Sequence, residues 1–597
     1  MRKSVPMESP LPASSVPSPT QRSSSCLDSF RALYEQDPRR TLFTFVDDSG
    51  RNADSMTVAQ LRRAGEGVAE NLAAWGLSAG DRVLLVYPPS LEFVQALLGC
   101  LMAGVIAAPA YPPDPLRPGT GVTRLGGIID ATGAKAVLTG KSYNRIRRIG
   151  SMARRWKPAE HVPWYVTDES ASSSPVTWHE PASADEVALL QYTSGSTSSP
   201  RGVMITHGNL TAEIGHNRRD LGLNQDTVTV SWVPQYHDMG LISVILSTLA
   251  GHGHTYLLSP LTFLGAPELW GTVMSRVRAT HTCAPNFAYE LLVRRTTPEM
   301  RRKWDLSSLK VALWSAEPVR PASVDRFLAA FRDSGFPPEA IYGAFGLAEN
   351  TVTVTMGGRD RLAVDRYSLA ENRAIPVDPD IGRPVTTYFS SGRVTKPGSS
   401  VRIVDPETRL PCSAETIGEI WVDSDTKAAG YYGLPEESEH YFHARIDGED
   451  REYLRTGDTG FFHSDNLYVT GRLKDLIIIN GRNVHPADLE DSVRTAHPLI
   501  RPGGIAAFGV PADELDVVAG EKVVLFVEIR GKKLVVDQAT ELARVVRRRL
   551  FEDHQIPCST VVIGHQGLVR KTTSGKIRRN ACREDFLAGP VKNAHVV

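Results

Sequence analysis

The sequence predicts an α/β protein, with a large N-terminal region built on a mainly parallel sheet and a smaller α/β region after it. From about residue 27 to 400, short apolar, β-branched runs alternate with longer amphipathic stretches, and each run lies next to Gly, Pro or Ser. This alternation is typical of buried strands that are linked by helices. Between about residues 401 and 465 the pattern changes to short strands joined by turns, which indicates a separate unit.

The chain begins with a Ser- and Pro-rich stretch, residues 1–26, that lacks the apolar core of a signal peptide. We expect this stretch to be a disordered tail. The buried strands predicted after it are RVLLVYP (82–88), AKAVLTG (134–140), VTVSWVP (228–234), HTYLLSP (254–260) and LKVALWSA (309–316).

One uncharged segment, Phe93–Ala110, is just long enough to raise the question of a membrane-spanning helix. Glycines interrupt this segment and Pro109 closes it. We therefore predict a buried helix around 91–102 and a short strand at 105–108, and no membrane span.

Residues 401–470 are predicted to form a small β-barrel-like or antiparallel unit, from runs such as VRIVDPE, GEIWVDS and YLRTGDTGFF. After them, the strands GIAAFGV and EKVVLFVEI and a helix over about 537–553 indicate a compact α/β unit. We place the boundary near 472–474, which gives an N-terminal domain of 27–472 and a C-terminal domain of 473–597.

Charge and cysteine content exclude several classes of protein. The 597 residues include 67 Lys and Arg and 67 Asp and Glu, so the formal net charge is zero. This balance argues against nucleic acid or an anionic membrane as a general partner, although a local basic patch is still allowed. The six cysteines form no C-x-x-C pair and no zinc pattern, which favours reduced thiols in a cytoplasmic protein.

The stretch that says most about chemistry is LLQYTSGSTSSPRGVMITHGNL, residues 189–210. The small hydroxylated residues and Gly195 within 193–197 let backbone N–H groups approach an anion closely, and Arg201 adds positive charge. These are the properties of a phosphate-binding loop, although the Walker pattern is absent. Taken alone, the stretch is equally typical of a flexible surface loop.

Further motifs follow in a fixed order: Trp314–Pro318, Tyr342–Glu349, Arg455–Asp458, Gly471–Asp475 and Ser574–Arg579. Together with the 193–197 loop, they closely resemble the adenylate-forming superfamily of acyl-CoA synthetases, luciferases and peptide-synthetase adenylation domains. The resemblance implies two mainly parallel α/β subdomains and a β-barrel-like one, followed by a small mobile α/β domain. It also implies activation of a carboxylate with ATP, with release of pyrophosphate and formation of an acyl-adenylate.

The resemblance implies a role for each motif residue. The predicted nucleotide-binding residues are Thr193, Ser194, Gly195, Ser196 and Thr197 for the phosphates, Ser315, Ala316, Glu317, Pro318, Phe345, Gly346 and Leu347 around adenine, and Asp458 and Arg472 at the ribose. Glu349 is expected to bind Mg²⁺, since this cation prefers carboxylate and phosphate oxygens. Lys576 is the expected catalytic cation, and Lys474 is expected at the hinge.

Each of these residues also has an ordinary structural interpretation. Asp458 fits a turn, Glu349 fits a helix cap, and Lys576 and Lys474 fit a solvated face. The order of the whole set favours the functional interpretation.

Three features resemble the fatty acyl-AMP ligase branch, whose members load carrier proteins. The first is His237-Asp238-Met239-Gly240, where His237 is expected as a catalytic residue near the bound carboxylate or acyl-phosphate; a structural histidine is the alternative. The second is the pair of segments 99–113 and 315–327, which are also similar to that branch. The third is a polar insertion at about 355–400, which in that branch is thought to restrain the C-terminal domain and to disfavour coenzyme A. A loose surface loop without such a role is the alternative.

Two positions depart from the superfamily pattern. Arg201 replaces the usual Lys and keeps its charge, and Ala348 stands where many relatives have Thr. The fatty acyl-AMP ligases commonly have this Ala.

The resemblance implies a cytoplasmic ligase that uses ATP and Mg²⁺ to convert a medium- or long-chain fatty acid to acyl-AMP. The acyl group then passes to the phosphopantetheine of an acyl carrier protein, with no nucleic acid as partner. Two alternatives stay open, namely a fatty acyl-CoA synthetase and a non-catalytic nucleotide-binding module.

Overall fold

The computed structural model describes residues 25–116, 118–151, 156–168, 170, 172, 176–193, 200–380, 382–479, 482–511, 521–531, 534–572, 575–591 and 593–597. Its strands are β1 Thr41–Val46, β2 Asn52–Thr57, β3 Arg82–Leu85, β4 Ile106–Pro109, β5 Ala136–Thr139, β6 Trp164–Val166, β7 Val187–Thr193, β8 Arg201–Thr206, β9 Val228–Ser231, β10 His254–Leu257, β11 His281–Ala284, β12 Val311–Trp314, β13 Ile341–Gly346, β14 Thr353–Gly358, β15 Arg361–Asp365, β16 Val385–Phe389, β17 Ser400–Val404, β18 Gly418–Asp423, β19 Ala444–Arg445, β20 Glu452–His463, β21 Asn466–Arg472, β22 Ile477–Ile479, β23 Arg482–Val484, β24 Ile500–Pro511, β25 Glu521–Ile529, β26 Cys558–Gly564 and β27 His595–Val596.

Helices connect most of these strands. They are α1 Asp28–Gln36, α2 Val58–Ala74, α3 Leu91–Ala103, α4 Gly119–Thr132, α5 Lys141–Ser151, α6 His207–Asp220, α7 Ser247–Leu249, α8 Pro260–Gly265, α9 Glu268–Arg276, α10 Asn286–Arg295, α11 Pro298–Arg301, α12 Pro321–Phe331, α13 Arg366–Leu369, α14 Pro435–Phe442, α15 Pro486–Arg494, α16 Val536–His554 and α17 Arg579–Leu587. A π-helical segment, Met239–Leu246, precedes α7.

Two large sheets form the N-terminal part. The first has the strand order β14-β13-β12-β11-β9-β10-β1-β2, and the second has the order β6-β5-β3-β4-β7-β8. Pairing is parallel inside both sheets and antiparallel only at the β13–β14, β1–β2 and β7–β8 pairs. Each of the five predicted strand runs contains one observed strand, β3, β5, β9, β10 or β12.

The uncharged segment around residue 100 folds as its glycines and prolines predict. It forms the buried helix α3 followed by the strand β4, within one residue or so of the predicted bounds. Among the described residues, no helix is long and apolar enough to cross a bilayer.

The region after β14 forms smaller antiparallel sheets. β15 and β16 pair with each other on either side of α13, so the described part of the predicted insertion is an ordered hairpin and not a loose loop. Strands β17, β18, β20, β19 and β21 form the antiparallel sheet that was one of two forms expected for residues 401–470.

The C-terminal part is a sheet of order β24-β25-β26-β27 with α15, α16 and α17 packed on it. Its buried side chains form clusters of their own, for example around Leu525 and Leu542 and around Phe526 and Cys582. The predicted domain boundary falls between β21 and the 3₁₀ turn Leu473–Asp475.

The N-terminal tail was predicted to extend through residue 26. Residues 1–24 lie outside the described part, but Ser25 and Cys26 are buried, and the Ser25 N–H donates to Asp28. The prediction was wrong for these two residues, because Cys26 packs into the main core beside His207. The six cysteines are all free, and Cys412 is the one that is partly exposed.

Candidate active site

A cavity of about 1590 Å³ lies where the strands of the first large sheet end and the C-terminal part covers them. The segments that follow β9, β12 and β13 line its wall, as expected because parallel strands of an α/β sheet bring their carboxyl ends to one edge. The predicted site residues that line it are His237, Asp238, Met239, Ser315, Ala316, Glu317, Pro318, Phe345, Gly346, Leu347, Glu349, Asp458, Arg472, Lys474 and Lys576.

The predicted phosphate loop is only partly described. Ser194 to Thr197 lie outside the described residues, as does the side chain of Thr193, so their predicted role stays a prediction. Arg201 begins β8 directly after the loop and lines the cavity.

Arg201 is held by three side chains from one later segment. Its guanidinium pairs with Glu437 at 2.6 Å and lies over the rings of Tyr431 and Tyr441, at 5.2 and 5.3 Å from their centroids. Although burial acts to lower it, the pKa of Arg201 is raised because Tyr431 and Glu437 favour the cation. A fixed cation therefore lines the cavity and follows the predicted phosphate loop in sequence.

Glu349 lies on a 3₁₀ turn directly after β13, and its side chain faces the cavity. The Tyr431 hydroxyl donates to Glu349 Oε1 at 2.9 Å. Burial raises the pKa of Glu349, and the nearby Asp458 carboxylate acts in the same direction. Such a carboxylate is stabilised by a cation, and Tyr431 orients it.

The residues predicted to enclose adenine come from two segments: Phe345 supplies a buried aromatic ring, and residues 315–318 supply mainly backbone. Phe345 is buried at the end of β13, and Ala316 follows β12 with φ of +69°. Glu317 accepts a hydrogen bond from the Phe287 N–H at 2.5 Å, and burial raises its pKa. The positive φ at Ala316 is a strained conformation of the kind that concentrates at ligand sites.

Asp458 and Arg472 face each other on paired strands. They are direct partners in the β20–β21 register, and Arg472 Nε donates to Asp458 Oδ1 at 3.1 Å. Asp458 is 8% exposed, and burial raises its pKa while Arg472 and Lys576 oppose that shift. The ribose ligands predicted from two separate motifs therefore form one charged pair.

Lys576 projects from a tight turn of the C-terminal part. Its backbone N–H donates to Thr572 Oγ1 at 3.0 Å, and its carbonyl accepts from the Thr572 N–H at 2.8 Å. Gly575 precedes it with φ of +91°, and a Cβ there would lie 2.9 Å from the Phe287 ring. The turn thus rests directly on α10 of the N-terminal part.

Carboxylates from three separate segments act on the Lys576 ammonium. Burial lowers the pKa of Lys576, whereas Asp238, Asp458 and Glu317 favour its charged form. Lys576 therefore stands at the point where the motifs converge.

His237 and Asp238 form a close pair at the wall. His237 Nδ1 lies 2.5 Å from Asp238 Oδ1, which also accepts from the Met239 N–H at 2.6 Å. Although burial acts to raise it, the pKa of Asp238 lies below its usual range, because His237 and Lys576 favour the carboxylate. Gly240 belongs to the π-helical segment that follows this pair.

The predicted hinge lies on a short 3₁₀ turn, Leu473–Asp475, at the cavity edge. Burial and the nearby Arg472 lower the pKa of Lys474. Arg579 joins Asp475 at 3.1 Å and Glu490 at 2.7 Å, which ties the hinge turn to the C-terminal part.

Ion pairs and hydrogen bonds join the C-terminal part to the rest of the chain. Arg494 pairs with Glu290 at 2.6 Å, and Arg320 pairs with Asp491 at 3.3 Å. Two further hydrogen bonds involve the predicted insertion: Arg366 donates to the Asp553 carbonyl at 2.7 Å and Asn483 donates to Asn372 at 2.9 Å.

Sequence reasoning missed Tyr431 and Glu437. Tyr431 follows Gly430 in an ordinary-looking GYY segment, and Glu437 is one of several acidic residues in α14. No local pattern distinguishes them, and only the fold brings them to Arg201 and Glu349.

Comparison with known proteins gives matches over nearly the whole chain. The family described as AMP-binding enzyme matches residues 30–432, and the one described as Disco-interacting protein 2-like, AMP domain, matches residues 474–596. The medium-chain-fatty-acid–[acyl-carrier-protein] ligase JamA of Moorena producens is 36% identical over 94% of both chains. The long-chain-fatty-acid–AMP ligase FadD32 of Mycolicibacterium smegmatis is 35% identical, over 87% of this chain and 86% of the relative.

Solved structures match equally broadly. A fatty acyl-adenylate ligase from L. pneumophila, in complex with acyl adenylate and pyrophosphate, is 33% identical with a TM-score of 0.72. The match covers 96% of this chain and 97% of that one. These similarities confirm the predicted fold class and the resemblance drawn from the motifs.

Proposed function

The chain belongs to the AMP-binding enzyme family and, within it, to the fatty acyl-AMP ligases, and on this premise we propose that it activates a medium- or long-chain fatty acid for an acyl carrier protein. It is an ATP-dependent, adenylate-forming ligase. The observation that best supports the proposed residue roles is the convergence of Lys576, Asp458, Glu349 and His237 on one cavity from four separate segments.

In the first half-reaction, a carboxylate oxygen of the fatty acid attacks the α-phosphorus of ATP. A P–O bond to the acyl group forms, and the bond to the β-phosphate oxygen breaks, so that pyrophosphate leaves with the electron pair. Lys576 stabilises the negative charge that develops between the two reactants. The protein forms no covalent bond, and catalysis is positioning together with electrostatics.

Other residues hold the nucleotide and the acid. Asp458 accepts hydrogen bonds from the ribose hydroxyls and Arg472 donates to the same sugar, while Phe345 stacks on adenine opposite Ser315–Pro318. The predicted loop 193–197 and Arg201 bind the outer phosphates, and His237 lies near the acid carboxylate.

Glu349 suits the Mg²⁺ that the family implies. Its carboxylate faces the cavity, and one of its oxygens accepts the Tyr431 hydroxyl. Among the described residues, no three His, Cys, Asp or Glu side chains cluster around a metal position. Glu349 would therefore share the ion with phosphates and water, as is usual for Mg²⁺ at nucleotide sites. When bound, the ion neutralises phosphate charge.

In the second half-reaction, the phosphopantetheine sulfur of the carrier attacks the acyl carbonyl carbon. The C–S bond forms, the C–O bond to AMP breaks, and the thiol proton passes to solvent. We propose that the C-terminal domain rotates about Lys474 between the two half-reactions, which removes Lys576 from the cavity. We also propose a cytoplasmic location, where free thiols stay reduced.

The insertion supports a carrier protein over free coenzyme A as the acceptor. Its Arg366 and Asn372 contact the C-terminal part directly, as a restraint on rotation requires. Some relatives are named differently, for example a putative fatty-acid–CoA ligase of Mycobacterium tuberculosis at 33% identity over 94% of this chain. The acceptor is therefore the part of the proposal that most needs a test.

The test incubates the enzyme with ATP, Mg²⁺ and radiolabelled fatty acids of increasing length, and then adds either coenzyme A or a carrier bearing phosphopantetheine. We expect acyl-AMP in both cases and acyl transfer to the carrier only. Rapid acyl-CoA formation would instead make the protein an acyl-CoA synthetase. Nucleotide binding without fatty-acid-dependent pyrophosphate exchange would make it a non-catalytic module.

A further inference from the structure

A buried ion pair lies behind the turn that carries Glu349. Lys396 Nζ is 2.6 Å from Glu213 Oε2, and the two side chains are 2% and 0% exposed. Glu213 lies on α6, the helix after the predicted phosphate loop, and Lys396 lies at the end of the insertion. Neither side chain lines the cavity.

The pair is bonded to the backbone and side chains of that turn. Lys396 Nζ donates to the Thr353 carbonyl at 2.5 Å and to Thr426 Oγ1 at 2.7 Å. Asn350, the residue after Glu349, donates to the same two atoms, at 2.6 and 3.2 Å. Glu213 Oε1 accepts the Thr353 N–H and hydroxyl, so the ion pair holds both backbone polar groups of Thr353, the residue at which the turn enters β14.

The turn needs outside support, because its backbone is strained. Thr351 has φ of +62°, and a β-branched residue rarely adopts this conformation. The Thr351 hydroxyl donates to the Thr426 carbonyl at 2.7 Å, and the Ala428 N–H donates to the Glu349 carbonyl at 3.0 Å. Strain of this kind persists only where surrounding contacts determine the conformation.

We propose that Lys396 and Glu213 are positioning residues that fix the Glu349 turn and thereby set the Mg²⁺ requirement of adenylation. The inference rests on the proposed role of Glu349. A buried ion pair usually stabilises a fold no more than well-packed apolar residues do, so stability alone does not explain the pair. Through its hydrogen bonds to the strained turn, the ion pair holds the backbone next to Glu349 in one conformation.

The principal test is the double variant Lys396→Met/Glu213→Gln, because it leaves no unpaired charge in the core. We expect its melting temperature to stay within a few degrees of wild type. The Mg²⁺ concentration for half-maximal pyrophosphate exchange should rise about tenfold and kcat should fall about tenfold, while KM for the fatty acid changes less than twofold. A double variant with wild-type Mg²⁺ requirement and kcat would show that the pair is only structural.

A second variant, Thr426→Val, removes the hydroxyl that accepts from both Lys396 and Asn350. It therefore loosens the link between the ion pair and the turn without leaving a charge unpaired, and the proposal stays testable if the double variant fails to fold. We expect a threefold to fivefold rise in the Mg²⁺ requirement, and an unchanged requirement would overturn the proposal. The matched control is Glu66→Gln, which neutralises a buried carboxylate paired with Arg62 on the remote helix α2. This control should lower the melting temperature and leave the Mg²⁺ requirement unchanged.

Glu349→Gln separates this inference from the proposed function. If Glu349→Gln keeps wild-type exchange activity, the role of Glu349 is wrong, and the inference falls with it. If Glu349→Gln loses activity and the double variant keeps the wild-type Mg²⁺ requirement, only the inference is overturned.

Discussion

Glu349 and Lys576 reach the same cavity from two regions that hold them in different ways. The Glu349 turn is fixed from behind by the fully buried Lys396–Glu213 pair. Lys576 lies on a turn of the C-terminal part, which meets the rest of the chain through ion pairs such as Arg320–Asp491, whose side chains are 28% and 45% exposed. The first arrangement suits a group that stays in place, and the second suits one that leaves the cavity in the proposed domain rotation.

The two kinds of contact differ in the free energy needed to break them. Removing one partner of a buried ion pair costs about 3–5 kcal/mol, because the other charge is left unpaired. A polar contact at a domain interface exchanges with water at little cost, and relative domain motion is the usual expectation for such interfaces. The comparison therefore predicts that substitution of Lys576 itself greatly reduces adenylation. Substitutions in the contacts around Lys576 should have smaller effects, because they change how the C-terminal part is seated.

The largest effect is expected for Lys576→Ala. The variant loses the cation aimed at the developing charge, so fatty-acid-dependent pyrophosphate exchange should fall by about 10²–10³-fold. ATP affinity, measured by calorimetry, should change little. The control Arg570→Ala removes an exposed cation that is paired with Asp585 of α17, and it should keep wild-type exchange. Full exchange activity in Lys576→Ala would contradict the assigned role.

A smaller effect is expected for Gly575→Ala, which tests how the Lys576 turn is seated. The new methyl would lie 2.9 Å from the Phe287 ring, and the residue has φ of +91°. Adenylation should fall about tenfold, because a methyl group forced against the Phe287 ring costs about 1–3 kcal/mol and opposes the seating of the Lys576 turn on α10. The control Gly567→Ala has φ of +102° in open space, so it carries the backbone strain alone. Equal losses in both variants would show that the contact with Phe287 is unimportant.

Arg366→Ala should release the C-terminal part from the insertion. It removes the hydrogen bond to the Asp553 carbonyl, which corresponds to about 1.5–3 kcal/mol for a charged donor. We expect acyl transfer to free coenzyme A to increase about tenfold, with adenylation reduced less than threefold. Arg402→Ala, which breaks an exposed pair with Glu449, is the control. If the rate of acyl transfer to coenzyme A stays unchanged, the predicted insertion does not restrain the rotation of the C-terminal domain.

The smallest effect concerns pH. Burial raises the pKa of Asp488, on α15 beside Arg366, from its usual 3.8 to about 7. Because the folded protein holds this proton up to about pH 7 and the unfolded chain loses it near pH 4, Asp488 lowers stability progressively between these values. Asp488→Asn should therefore gain melting temperature relative to wild type as the pH rises from 5 to 7. If the difference in melting temperature between variant and wild type stays constant from pH 5 to 7, the raised pKa of Asp488 is wrong.

Much of the fold, and the two site residues compared here, could be predicted from the sequence. The strand runs at 134–140 and 309–316 are found in the fold, because a short apolar run between Gly and Pro leaves few alternatives. The motifs also named Glu349 and Lys576, since each lies within a recognisable local pattern.

The contacts that hold these residues in place could not be predicted from the sequence. Lys396 and Glu213 are 183 positions apart, and neither lies in a motif. The positive φ of Ala316 and the hydrogen bond from Tyr431 to Glu349 likewise depend on packing between distant segments. Local sequence patterns predict what a residue can do, whereas tertiary contacts decide how firmly it is held.

The arrangement of the cysteines has a consequence for observing the hinge. Burial raises the pKa of the Cys26, Cys283 and Cys582 thiols to about 11 or 12, which leaves almost no reactive thiolate at neutral pH. Burial and Asp405 also raise the pKa of Cys412, but Cys412 is the one partly exposed thiol and lies beside the sheet next to the hinge. A maleimide dye should attach there preferentially, and a second dye on Glu541→Cys of α16 would make domain rotation visible by energy transfer during single turnovers.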